Sequence, residues 1–163
     1  KSDKADAAPK DYTKILHDAR PDEDNEYYMI FSPGENGKFT AQYGYSDSYD
    51  AAQLDEEIRN MLLPLLNLEE DMYTDFAASV SGMMVQSYGI AIVKPAEGKQ
   101  QAVSEALDAY VQSQMQSMEH YLEDQYQIAA SSHISTAPTG EVILVCCENP
   151  EAVMNAIKTA LAA

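Results

Sequence analysis

The chain has 163 residues, 45% of them hydrophobic, with a formal net charge of −17 and a pI near 4.2. That is one domain's length with enough apolar content for a packed core. Phosphate backbones and anionic lipid headgroups are repelled by such a surface, and no Lys/Arg cluster interrupts it, which argues against nucleic-acid partners and flat docking on anionic membranes.

The chain starts at Lys1, and its opening KSDKADAAPKD is polar and Ala-rich, without the apolar core of a signal peptide. Residues 1–10 read as a flexible tether ahead of a single domain over 11–163. An export signal removed by processing would leave such a tether, and a trimmed chain would read the same way. The longest apolar run, MLLPLLNL at 61–68, is interrupted by Pro64 and falls short of the ~18 residues that span a bilayer.

Tyr12, Ile15, Leu16 and Ala19 mark one face of a short helix ended by Pro21, and PDEDNE (21–26) follows as an acidic loop. YYMIF (27–31) and KFTAQYGY (38–45) flank SPGENG, a hairpin pattern. Leu54, Ile58, Met61 and Leu65 step helically, with Pro64 predicted to kink or stop the helix near residue 63. Asn67 and Glu70 suggest the cap of a further helix through Phe76. SYGIAIVKP (87–95) predicts a strand with Tyr88, Ile90 and Ile92 on one face, and with Gly89 and Ala91 leaving the other open to a helix. Residues 99–125 predict one long helix with a single apolar stripe. QIAASSHIST (127–136) and EVILVCC (141–147) predict strands joined by APTG. Asn149 and Pro150 open a last helix whose buried row is Val153, Ile157 and Leu161. The fold class is α+β: an antiparallel sheet of four to five strands packed against the long helix and the C-terminal helix.

Little in the chain spells out chemistry. Cys146 and Cys147 are the only cysteines, and adjacent strand residues point to opposite faces, so each reads as a small core hydrophobe. Neighbouring strand cysteines cannot pair without a strained turn, and no spaced Cys/His set offers a zinc site. Stability without a cross-loop disulfide suits an anaerobic envelope. His17 and His120, read on helices, have no second His or Cys at three- or four-residue spacing, the run Asp22, Glu23, Asp24, Glu26 lacks the EF-hand glycine and Glu, and SPGENGK lacks phosphate-loop spacing. No cofactor, metal or catalytic set is expected. The eight methionines read as filler of an irregular core more than as a groove. YGYSDSYD (43–50) is the candidate contact patch: Tyr43, Tyr45 and Tyr49 with Asp47 can stack on and hydrogen-bond a glycan or anchor a protein. Tyr43 and Tyr45 alternatively share a strand face with Phe39.

SVSGMMVQSYGIAIVKPAEGK (79–99), YLEDQYQIA (121–129) and EVILVCCENPEAV (141–153) resemble a family of small lipoproteins of unknown function from Gram-positive anaerobic bacteria. The resemblance implies a lipid-anchored extracellular domain on a spacer and attaches no chemistry to any residue. It departs at Glu123, where members often carry proline, and at Thr139–Gly140, where they often carry Asp-Gly or Gly-aromatic. The expected function is a non-enzymatic binding or structural role at the cell envelope, toward a protein or glycan. The alternative is a hydrolase of envelope or dietary glycans using paired carboxylates such as Asp47 or Asp50, which requires a cleft holding both.

Overall fold

A computed structural model describes residues 10–83 and 85–163. The tether expected over 1–10 lies, apart from Lys10, outside them. Among the described residues the chain runs α1 (Tyr12–Ala19), α2 (Asp22–Tyr27), β1 (Ile30–Pro33), β2 (Phe39–Gln42), then α3, which starts as Ala51–Glu57, passes through a π turn at Ile58–Leu62 and closes with Leu63–Leu65. There follow β3 (Tyr73–Val80), β4 (Gly89–Pro95), α4 (Gln100–Met118), α5 (Glu123–Ala130), β5 (His133–Thr136), β6 (Val142–Cys146) and α6 (Pro150–Ala162). One antiparallel sheet of six strands, where four to five were expected, runs in the order β2-β1-β3-β4-β6-β5.

The sheet separates two cores. On one face α3 and α4 pack Leu54, Ile58, Leu62, Leu66, Val103, Leu107 and Tyr110 onto Phe31, Phe76, Val93, Leu144 and Cys146. On the other, α1 and α6 pack Tyr12, Leu16, Val153, Ile157 and Leu161 onto Ile30, Tyr88, Ile90, Ile92, Ile143, Val145 and Cys147. The alternation along β4 and β6 is the one read from sequence, and both strands are apolar on both faces because helices cover both. Cys146 and Cys147 are free and buried, one on each face. Burial pushes the Cys147 thiol up to about 11 and raises Cys146 as well, so both stay protonated and unreactive at neutral pH. Gly89 explains the close approach of α4: a Cβ there would sit 2.6 Å from the Tyr110 hydroxyl and 2.9 Å from its Cζ.

Several elements differ from the sequence reading. PDEDNE is largely helical, as α2, not a loop. The segment 67–76 does not open a helix. Asn67 adopts φ +59°, ending α3 in the left-handed conformation, and its side-chain amide donates to the Ala106 carbonyl at 3.2 Å. A single 3-10 turn, Glu70–Met72, then leads into the long strand β3. Ala77, Ala78 and Ser79 there have weak strand preference, and the pairing with β4 along the whole strand overrides it. The long helix stops at Met118, where His120 turns left-handed at φ +64°. The remainder folds back as α5, taking Gln127–Ala130 from the expected strand and leaving only His133–Thr136 to pair with β6. Asn149 occupies the cap position of α6, but its side chain makes no capping bond.

Pro64 does not stop α3 near 63. The helix takes up one extra residue as the π turn and continues through Leu65. That insertion shifts the phase. The buried row is Leu54, Ile58, Leu62, Leu66, and the expected Met61 and Leu65 are rotated outward.

Candidate binding cleft

The wall of the cleft is built around Arg20, a charged residue only 5% exposed. Its Nε donates to Asn25 Oδ1 at 2.6 Å, and its Nη1 donates to Ser79 Oγ at 2.9 Å and Tyr88 Oη at 3.1 Å. Its Nη2 donates to the Tyr28 carbonyl. One guanidinium thus ties the α1–α2–β1 junction to β3 and to the residue preceding β4, a use of a rigid donor fork that lysine cannot reproduce. Tyr28 stacks on Tyr88 with centroids 4.0 Å apart and planes at 9°. The turn after β2 locks on the same wall. Gly44 is left-handed at φ +57°, its N–H donates to the Asn25 carbonyl at 2.9 Å, and a Cβ there would lie 2.6 Å from Met29 N. Only glycine fits.

Against this wall stands the outward face of α3. Tyr27, Tyr45, Tyr49, Met61, Leu65 and Met83 line a cleft of about 860 Å³ between α2, the 43–49 turn, α3 and the β3–β4 loop. Of the eight large apolar or aromatic side chains exposed among the described residues, these are six. Glu23, Asp24, Glu57 and Glu148 also line it, and no described Lys, Arg or His does. Burial raises the Asp24 carboxyl above its ordinary value although the Arg20 charge opposes this. A second depression, of about 840 Å³ between α5 and the start of α6, has Ile128, Pro150 and Cys147 in its lining but none of the exposed aromatic or methionine side chains.

The four residues singled out in the sequence separate. Tyr45, 61% exposed, and Tyr49, 36% exposed, face the cleft. Tyr43 is half-buried with φ +71°, its ring 4.4 Å from that of His17. Asp47 lies exposed on the turn Ser46–Ser48, outside the cleft lining. Because β2 ends at Gln42, neither Tyr43 nor Tyr45 shares a strand face with Phe39. Asp50 caps α3, accepting from the Gln53 N–H at 2.8 Å while its own N–H donates to Gln53 Oε1 at 3.1 Å. Asp47 and Asp50 therefore do not form a carboxylate pair within a cleft. The sequence reading missed Tyr27, Met61, Leu65 and Met83. Met83 had a visible signal: it stands in a loop, SGMMVQS, too apolar for a plain turn.

Fold and cleft define a small α+β domain with an apolar, acid-rimmed groove and, among the described residues, no group of three or more His, Cys, Asp or Glu close enough to hold a metal ion. The chain belongs to the family DUF4358, a domain of unknown function, whose model matches residues 46–148. Comparison with curated proteins and with solved structures gave no match. The matched region contributes α3, the β3–β4 loop and Glu148 to the cleft, while Asp24, Tyr27 and Tyr45 come from residues that precede it.

Proposed function

We propose that the chain is the extracellular domain of a lipid-anchored surface protein of the Gram-positive type. In this reading it is a non-enzymatic binding module that holds an apolar segment of a partner protein in the tyrosine and methionine cleft. The observation that carries the reading is the gathering of six of eight exposed large apolar side chains in one concavity. Contiguous apolar surface on a soluble domain is costly unless a partner covers it. Methionine favours a protein over a glycan, since it adapts to apolar side chains and offers a sugar few hydrogen bonds. The extracellular, anchored part of the reading is supported by the resemblance of 79–99, 121–129 and 141–153 to the lipoproteins.

Methionine-methyl NMR tests the cleft. An acetylated, amidated Leu/Tyr decapeptide is expected to shift the signals of exposed Met61 and Met83 and to leave those of buried Met118 and Met154 in place. Shifts produced by oligosaccharides and not by the peptide would reassign the cleft to glycans.

A further inference from the structure

The cleft adjoins a narrower cavity of about 220 Å³, reached by residues of α2, the segment before β4, α5 and the β6–α6 junction. Glu23, Asp24, Tyr28, Gln86 and Glu148 line both. Glu23, Asp24 and Glu148 thus put three acidic side chains in the lining that the two share. The nearby Arg20 does not fill the role of their partner, because its donors are turned inward onto Asn25, Ser79, Tyr88 and Tyr28. No described Lys, Arg or His lines either cavity.

A second, independent observation lies in the same lining. Ser87, 3% exposed, lines the narrow cavity, and its N–H donates to Gln125 Oε1 at 2.7 Å. Its Oγ is the one buried side-chain polar atom among the described residues with no hydrogen-bond partner. A buried hydroxyl left unpaired is a standing cost unless something enters to satisfy it. Among the described residues no group of three or more His, Cys, Asp or Glu is placed to hold a metal ion, and a polyatomic cation that carries several hydrogen-bond donors matches both the carboxylates and the Ser87 hydroxyl.

We propose that this cavity takes the cationic end of a Lys or Arg side chain carried on a polypeptide whose apolar residues lie along the cleft. The proposal rests on the reading of the cleft as a polypeptide site. Such a side chain fits the composite shape: its methylene stem lies on apolar surface while its charged head reaches the carboxylates and the Ser87 hydroxyl. Asp24, whose charged form burial disfavours more than the Arg20 charge favours it, gains a further counter-charge.

The test uses four acetylated, amidated decapeptides with one Leu/Tyr framework and Lys, Arg, norleucine or Glu at the centre. Each is titrated calorimetrically into the full chain at ~150 mM salt, where diffuse attraction is screened. The Lys or Arg peptide is expected to bind about tenfold or more tighter than the norleucine peptide, as a charged hydrogen bond implies. Asp24→Asn should erase that difference and Ser87→Ala should reduce it severalfold. Glu148→Gln, on the exposed β6–α6 turn, serves if Asp24→Asn fails to fold. Glu97→Gln, past the opposite end of β4, should change nothing. Equal binding of the Lys, Arg and norleucine peptides overturns the cationic site and leaves the cleft standing. An equal loss from Glu97→Gln overturns it in favour of general charge attraction. Binding by none of the four overturns the cleft reading, and the cationic site with it.

Discussion

Replacing Gly89 by alanine puts one methyl group where α4 meets the sheet. Its Cβ would lie 2.6 Å from Tyr110 Oη, 2.9 Å from Cζ and 3.0 Å from Cε2. Because three atoms of a rigid, fully buried ring are involved, a turn of the hydroxyl alone gives no relief and the ring must move. Overpacking of this kind costs about 1–3 kcal/mol. Moving the ring also breaks the bond Tyr110 donates to the Tyr88 carbonyl at 3.1 Å, worth about 1 kcal/mol. The expected loss is therefore about 2–4 kcal/mol, or a fall of roughly 4–16 °C in Tm at this size, read by urea and thermal unfolding. Tyr110→Phe alone should cost about 1 kcal/mol, because the Tyr88 carbonyl still accepts from the Ser81 N–H at 3.0 Å. In the double variant the worst contact is gone and the bond cannot be lost twice, so the cost should fall short of the sum by about 1 kcal/mol. Additive costs, or an alanine that costs nothing, would refute the argument that Gly89 is small for the sake of Tyr110.

Glu141, 4% exposed, is pushed up by burial, but hydrogen bonds from Thr139 and Tyr12 and the Lys10 ammonium outweigh this and hold its carboxyl below the ordinary 4.5. A depressed folded value gives stability that is present above pH 4.5 and lost as pH falls through the folded value. Glu141→Gln should therefore lower Tm at neutral pH and flatten its decline on acidification. An unchanged slope between about pH 3 and 6 would count against the linkage. The two thiols should ignore an aromatic disulfide reagent at pH 8 in the native protein and both react in urea; rapid native labelling would place a cysteine at the surface. Deleting the exposed Asn60 from the π turn should restore an ordinary helix with Leu62 and Leu66 still buried, at a cost within about 1 kcal/mol. A loss above about 3 kcal/mol would show that the turn supports the core and not only the outward placement of Met61.

What was legible in the sequence was what local pattern and burial agree on. The row Tyr88, Ile90, Ile92, the opposed cysteines, the β1–β2 hairpin and the α6 row each follow from a period of two or of 3.6 that the tertiary structure leaves intact. β3 was lost because Asn67 and Glu70 resemble the capped start of a helix, while the pairing with β4 that decides the matter is non-local. The residues 127–130 went the other way: Ala129 and Ile128 serve a helix packed on α4 as readily as a strand. The cleft was half legible. Tyr45 and Tyr49 stood out as contact candidates, but Met61 and Leu65 fell on the predicted buried stripe. A one-residue π insertion has no signature in a four-residue periodicity beyond the presence of Pro64.

Several departures from local rule lie at the cleft and its side cavity. The π turn, the Asp24 carboxyl raised by desolvation and the unpartnered Ser87 hydroxyl line the cleft or its side cavity, and the buried Arg20 adjoins them through Tyr28 and Tyr88. Two of these are unfavourable in the free protein: an unsatisfied buried hydroxyl costs about 1–3 kcal/mol, and desolvation works against the charged Asp24 carboxyl. Stability alone would not collect them, whereas a site that meets a ligand's polar groups must keep its own unsatisfied until the ligand arrives. Ser87→Ala separates the two explanations without any ligand. If the hydroxyl is held in reserve, removing it leaves the free protein as stable or up to about 1 kcal/mol more stable, measured by urea unfolding. A loss of more than about 1 kcal/mol would mean that the hydroxyl already serves the fold, and the unfavourable features of the cleft would then have to be explained by packing.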